Sequence, residues 1–260
     1  MLLAIDIGNT NIVGCIFDKD SIVFKFRAFT DKNKTADEYY ALFDSILRGG
    51  GIDVSVLKKI SISSVVPSID DLIKTAFLKY YKINPYFIKY SENIKLSVRL
   101  KIKNPGEAGA DRIANAEYAA TKFSGNNVIL ADLGTATTID VITKKGDYVG
   151  GVIAPGMALS ARALFEGAAK LFKVDYSVIP AKTIGTDTDE CIRSGIIFGY
   201  ASMIEGLIRR IISERRFDDQ MIIITGGFAE TLRRVCPIID EADMDITLKG
   251  IKIIYEKNHS

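Results

Sequence analysis

The chain has 260 residues, 48% of them hydrophobic and 25% charged, with 34 Lys and Arg against 32 Asp and Glu. That is enough chain for one large or two modest domains with a sizeable core, and a net charge of +2 supplies no field that would draw it to nucleic acid or a membrane surface. The single histidine is His259, which all but excludes Ser-His-Asp triads, Cys-His pairs and HExxH zinc sites, so carboxylates, lysines, hydroxyls, backbone amides or ions must do any chemistry.

The opening MLLAIDIGNTN has no basic lead, and Asp6 interrupts its apolar stretch, so no signal peptide is expected. LLAIDIG, IVGCIF and IVFKFRAF read as strands, the last two joined by the turn-like DKDS. Thr35 and Glu38 have the spacing of a capping box, opening a helix with Tyr39, Leu42, Phe43 and Ile46 on one face. KKISISSVVP is a strand ending at Pro67, a helix from about Ser68 carries Ile69, Leu72, Ile73 and Phe77, and FIKY is a further strand. After the alternating KLSVRLKI and the turn NPGEAGA, the stretch DRIANAEYAATKF is helical.

Then the opening pattern returns. NVILADLGTATTIDVITKKGDYVGGVIAP runs an apolar strand into Asp and Gly and on into two hairpin strands. Helices are predicted over roughly 156–171 and 187–215, then the strand MIIIT, the pair Gly226-Gly227, another helix, and a last short strand at IKIIYE. No run of about 18 apolar residues occurs, so no membrane span is expected. Cys15, Cys191 and Cys236 are odd in number and far apart, giving neither a disulfide framework nor a zinc pattern and fitting a reducing cytoplasm.

AIDIGNTN (4–11) and ADLGTATT (131–138) share one plan: an aspartate at the end of an apolar strand, a glycine, then hydroxyl or amide residues, then more strands and helices. The repetition predicts a duplicated α/β half, residues 1–114 and 115–260, with a central cleft. In the first motif Gly8 permits a tight turn and close ligand approach, while turn amides and the Asn9, Thr10 and Asn11 side chains can donate to phosphate oxygens. Asp6 can hold Mg²⁺ through oxygen. Asp132, Gly134 and Thr135 repeat the device. Taken singly each motif is also an ordinary turn; two copies, each opening a strand-rich half, favour the phosphate reading.

Thr225-Gly226-Gly227 lets a flat ligand such as adenine lie against backbone, with the N-terminus of the following helix nearby; alone, it is equally a turn that needs glycine. Gly109-Ala110-Asp111-Arg112 opens a helix. Phosphoryl transfer needs a group to take the acceptor proton, and without histidine an aspartate is the natural candidate; Arg112 could pair with an acidic substrate or phosphoryl group. By itself this is also a helix-end acid beside a solvated arginine. A Walker A loop is absent, so a P-loop kinase is not supported.

DIGNTN (6–11), SSVVPS (63–68), NPGEAGADR (104–112), DLGTATT (132–138), GGVIAPG (150–156), IGTDT (184–188), TGGFAE (225–230) and LKGIKIIYE (248–256) together resemble a type III pantothenate kinase of the actin, Hsp70 and sugar-kinase superfamily, in the family's order and from end to end. The resemblance implies two ribonuclease-H-like halves, a cytoplasmic homodimer, and transfer of the ATP γ-phosphoryl group to the 4′-hydroxyl of pantothenate, the first step towards coenzyme A. By position it implies Asp111 as proton acceptor. It places Gly109, Ala110, Asp111, Arg112 and Thr188 at pantothenate, and Asp6, Ile7, Gly8, Asn9, Thr10, Asn11, Ile12, Val13 and Thr135 at ATP. Asp6 would serve Mg²⁺ through the phosphates, and Asp132 a monovalent cation, K⁺ or NH₄⁺. Many relatives have a tyrosine seven residues before the glycine of GADR, where this chain has Ile102. The rival readings are a nucleotide-binding transcriptional accessory factor, which would need no acceptor base, and a kinase for another small hydroxyl acceptor; repressor-related sugar kinases usually carry a Cys/His zinc motif, which is missing here.

Overall fold

The computed structural model describes residues 1–168 and 171–259. The chain forms two compact units: Met1–Ser97 with Lys103–Tyr118 and the stretch from Ile246, and Val98–Ile102 with Ala119–Asp245. The elements of the first are β1 (Leu2–Ile7), β2 (Asn11–Asp18), β3 (Ser21–Phe29), α1 (Ala36–Gly49), β4 (Lys59–Ser64), α2 (Pro67–Ala76) and β5 (Tyr86–Phe87). A π-helical turn, Phe77–Tyr81, extends α2. The sheet order is β3-β2-β1-β4-β5, antiparallel across β3, β2 and β1 and parallel across β1, β4 and β5.

After the short strand β6 (Arg99–Leu100) and helix α3 (Ala110–Lys122), the second unit repeats the plan with β7 (Asn127–Leu133), β8 (Ala136–Ile142), β9 (Asp147–Pro155), α4 (Met157–Gly167), α5 (Thr188–Arg215), β10 (Gln220–Gly226), α6 (Ala229–Arg233) and β11 (Glu241–Ala242). Its order is β11-β10-β7-β8-β9-β6. With β6 set aside, this is the first sheet's order and direction strand for strand, so both units are ribonuclease-H-like. Of the helix expected over 156–171, positions 169 and 170 lie outside the described residues.

The local chemistry explains the elements. At α1 both reciprocal bonds of the capping box form, Glu38 N–H to Thr35 Oγ1 at 3.3 Å and Thr35 N–H to Glu38 Oε2 at 2.7 Å, and Tyr39, Phe43 and Leu47 bury its inner stripe. They pack with Leu3, Ile5 and Ile7 of β1 and Ile69 and Ile73 of α2; each such side chain contributes about 1.5–3 kcal/mol of burial. By length and composition α5 is long and apolar enough to cross a membrane. However, Ile192, Ile196, Tyr200, Ile204 and Ile208 recur every four residues and lie in the second unit's core beside Ile129 and Ile224.

One element departs from the sequence reading. IKIIYE is not a strand but part of a helix, α7 (Ile246–His259). The apolar run reads as an alternation only when taken by itself. Extended back to Ile246, four of the buried positions, Ile246, Gly250, Ile251 and Ile254, fall on one helical face, with buried Leu248 beside it.

Candidate functional site

In the first unit, β1 and β2 form a hairpin in which Ile7 faces Ile12 and Asp6 faces Val13. Gly8 N–H donates to the Asn11 carbonyl at 3.0 Å, leaving Asn9 and Thr10 exposed at the tip. Thr30 clamps this turn: its hydroxyl donates to the Gly8 carbonyl at 2.7 Å and its N–H to the Thr10 carbonyl at 3.0 Å. On the other side of β1, Asp6 lies in register with Ser63 of β4, whose buried hydroxyl donates to Asp6 Oδ1 at 2.8 Å.

The start of α3 lies beside that strand end. Val65 N–H donates to the Ile7 carbonyl at 3.0 Å, and Val65 Cγ1 comes within 3.5 Å of where a side chain on Gly109 would begin. A methyl on Gly109 would also meet Asp111 Oδ1, so a larger residue there would push this carboxylate aside. Arg112 N–H donates to the same oxygen at 2.7 Å, so the carboxylate is held back over the positive end of a 13-residue helix, where an anion is stabilised. The structure thus brings Asp6, the 8–11 turn and Gly109 to Arg112 to one end of one unit, with Ala110 buried and Asp111 and Arg112 half-buried.

In the second unit β7 and β8 make the same hairpin with one residue fewer: Leu133 faces Thr137, Asp132 faces Thr138, and Gly134 N–H donates to the Ala136 carbonyl at 3.1 Å. The parallel partner of Asp132 is Thr225 of β10, buried as Ser63 is beside Asp6. The backbone here is close-packed. A side chain on Gly226, which has φ +94°, would meet the Leu133 backbone at 2.7 Å, and one on Gly156 would strike the Gly134 and Thr135 carbonyls. Thr137 shares a hydrogen bond with Tyr200 of α5, whose phenol burial pushes up to about 12.

Cavities among the described residues of this unit include the following pair. One of about 570 Å³ borders Gly227 and Phe228 and is lined also by Lys173, Asp175, Tyr176 and Thr231, with the Tyr176 and Phe228 rings 5.9 Å apart. The other, about 910 Å³ and mostly apolar, lies between α4 and the start of α5, with Met157, Leu164, Ile192 and Tyr200 in its wall and Thr188 at its rim. Thr188 is the first residue of α5, next to the capping Asp187 that accepts the Glu190 N–H at 2.8 Å.

Against known proteins, residues 2–210 match the family model described as Type III pantothenate kinase. The type III pantothenate kinase of Citrifermentans bemidjiense is 41% identical over 258 residues, covering 99% of this chain and all of that one. The chain belongs to the type III pantothenate kinase family. Among solved structures, a Campylobacter jejuni protein described as a Baf family transcriptional activator aligns with a TM-score of 0.61 at 20% identity, covering 98% of both chains. A ROK family glucokinase from Streptomyces griseus, in complex with glucose and AMPPNP, aligns at 0.55 and 14%, covering 96% and 97%. These two likenesses concern the fold, that of the actin-like ATPases and sugar kinases.

Ile102, where the sequence reading expects many type III pantothenate kinases to carry tyrosine, belongs to the second unit. The residue is half-buried, and its Cγ2 lies 3.8 Å from where a side chain on Gly150 would begin. The sequence reading missed Thr30 and Ser63 as partners of the first turn; Ser63 stands in the quoted SSVVPS, but nothing in that string says its hydroxyl meets Asp6. It also overvalued the helix after Gly227. α6 has five residues, too few for a useful dipole at its start. Among the described residues no group of three or more His, Cys, Asp or Glu side chains converges on one point.

Proposed function

We propose that this protein transfers the γ-phosphoryl group of ATP to the 4′-hydroxyl of pantothenate on the way to coenzyme A. Family membership along the whole chain supports the activity and the acceptor. The observation that carries the residue roles is the corner of the first unit, where the Asp111 carboxylate, close against Gly109, stands beside the strand end bearing Asp6. Asp111 takes the hydroxyl proton late, as the loose transition state forms, and Gly109, Ala110, Arg112 and Thr188 contact pantothenate. The 6–13 hairpin and Thr135 hold the ATP phosphates. The cavity beside Gly227 has the size and the aromatic wall to take adenine.

The oxygen donors at Asp6 suit Mg²⁺, which usually binds through one or two carboxylates plus substrate phosphates and when bound supplies charge neutralisation between the phosphates. Asp132, with Thr225 beside it and Thr138 opposite, offers an oxygen-only site of the kind a monovalent cation, K⁺ or NH₄⁺, accepts. Residues 1–114 then supply the first phosphate motif, and 115–260 the second phosphate and adenosine motifs. The exposed apolar side chains Leu159, Leu164, Phe172 and Ile184 support a homodimer, and the reading places the enzyme in the cytoplasm. Incubating the protein with ATP, Mg²⁺, K⁺ and pantothenate should yield ADP and 4′-phosphopantothenate, with no turnover on common sugars. Folded protein that makes no phosphopantothenate overturns the proposal.

A further inference from the structure

α7 lies on the face of the first sheet that carries Asp6. Side chains alternate across a strand, and Leu3, Ile5 and Ile7 join the core formed with α1 and α2. Ala4 and Asp6, with their register partners Ser61 and Ser63, therefore line the opposite face, where α7 packs against both β1 and β4. The small side chains of Ala4 and Ser61 let that helix come close.

The same helix grips α3 at successive points. Gly250 sits on the backbone of Ala114: a methyl there would strike the Ala114 carbonyl oxygen and stand 2.5 Å from its carbon. Thr247 Oγ1 donates to the Oδ1 of the fully buried Asn115 at 2.8 Å. Lys257 Nζ reaches Oε1 of the fully buried Glu117 at 2.6 Å, while the other oxygen of Glu117 takes the Ser97 N–H at 2.7 Å. Backbone against backbone leaves no side-chain slack between the helices, and the two directional polar pairs fix how far α3 can slide or turn. Ala114 lies one helical turn from Asp111, so any displacement at the contact is carried to the carboxylate by a rigid rod.

We infer that α7 is a positioning brace for phosphoryl transfer: Gly250 and Thr247 touch no reacting group, and they set where the Asp111 carboxylate stands relative to the Asp6 strand. This rests on the reading of Asp111 as the proton acceptor. A misplacement of about 1 Å at a reacting group can cost on the order of 10²-fold in rate, and a methyl at position 250 demands a shift of that order from α3 or α7.

The test compares Gly250→Ala, Thr247→Val, Thr247→Ser, Asp111→Asn and a control, Gly49→Ala, where an added methyl meets nothing within 4 Å. For each, kcat, KM for pantothenate, ATP affinity by calorimetry and the melting transition are measured. Gly250→Ala should melt cooperatively and bind ATP within about twofold of wild type, yet lose roughly tenfold or more in kcat. Thr247→Val should lose kcat by a smaller factor, Thr247→Ser should recover it, and Gly49→Ala should match wild type. A purely structural helix would lower the melting temperature and leave kcat per folded enzyme untouched; that result, or wild-type kcat in Gly250→Ala, overturns the brace. Should Gly250→Ala fail to fold, wild-type kcat in Thr247→Val overturns it instead. Near-normal kcat in Asp111→Asn removes the acceptor reading and the brace with it. Loss there with unchanged kcat in Gly250→Ala removes the brace alone.

Discussion

Asp111 and its neutral amide differ by little in shape and by everything in proton affinity, which makes Asp111→Asn the sharpest single change. A positioned base contributes about 10²–10⁴-fold, so kcat should fall by two or more orders of magnitude while ATP affinity holds. If the carboxylate served only the helix end, the variant would lose about 0.3–1 kcal/mol of stability and keep its turnover; steady-state kinetics and a melting curve on one preparation separate the two. At this scale the sequence was legible wherever a residue's local setting is written by its neighbours in the chain. Asp6 at a strand end before Gly8 and Asp111 at a helix start after Gly109 stand where the sequence puts them. The partners of Ser63 and Thr30 are not so written, being 57 and 22 residues away, and Gly250 looks like a flaw in a helix until the Ala114 carbonyl is seen against it.

The two hairpins are held differently: Thr30 clamps the first, and close backbone contacts at Gly156 and Gly226 pack the second. Gly226 is the strictest case: φ +94° is a conformation that side chains rarely adopt, and the Leu133 backbone stands 2.7 Å from any Cβ. Gly226→Ala should cost roughly 1–3 kcal/mol from overpacking, with about 1–2 kcal/mol more from the left-handed backbone, read as a lower urea midpoint. Because Leu133 leads into the turn that bears Thr135, which the proposed reading places at the ATP phosphates, ATP affinity should weaken alongside. Wild-type stability in this variant would contradict the close packing described here. Strands, capping box and long helix were readable because period and caps are local signals. The last helix was not, because six residues of mixed apolar and charged character fit either period until the buried face is known.

Across the whole molecule, two sheets of the same order each end a strand on Asp-aliphatic-Gly. On the proposed reading Asp6 serves Mg²⁺ at the phosphates, which leaves Asp132 to another ion. Replacing K⁺ with Na⁺ or an organic cation should cut the rate, NH₄⁺ should sustain it, and equal rates in all four salts would remove that role from Asp132. The duplication was the most legible feature of the chain, since it rests on the order of motifs and not on any one of them. Which segments complete each unit was less so, because a chain that leaves and returns does not mark its return in composition.

That return bears on how the enzyme is made. Protein emerges from the ribosome in order, and domains usually fold as they appear. Here Thr247 and Asn115, which must meet, are separated by 132 residues, nearly all of them belonging to the second unit. The first hairpin can form early in synthesis, but the helix that packs behind it is made only after the whole second unit. On the proposed reading, a nascent chain made only as far as residue 245 carries both hairpins without the helix that braces Asp111, and competence for transfer waits for α7.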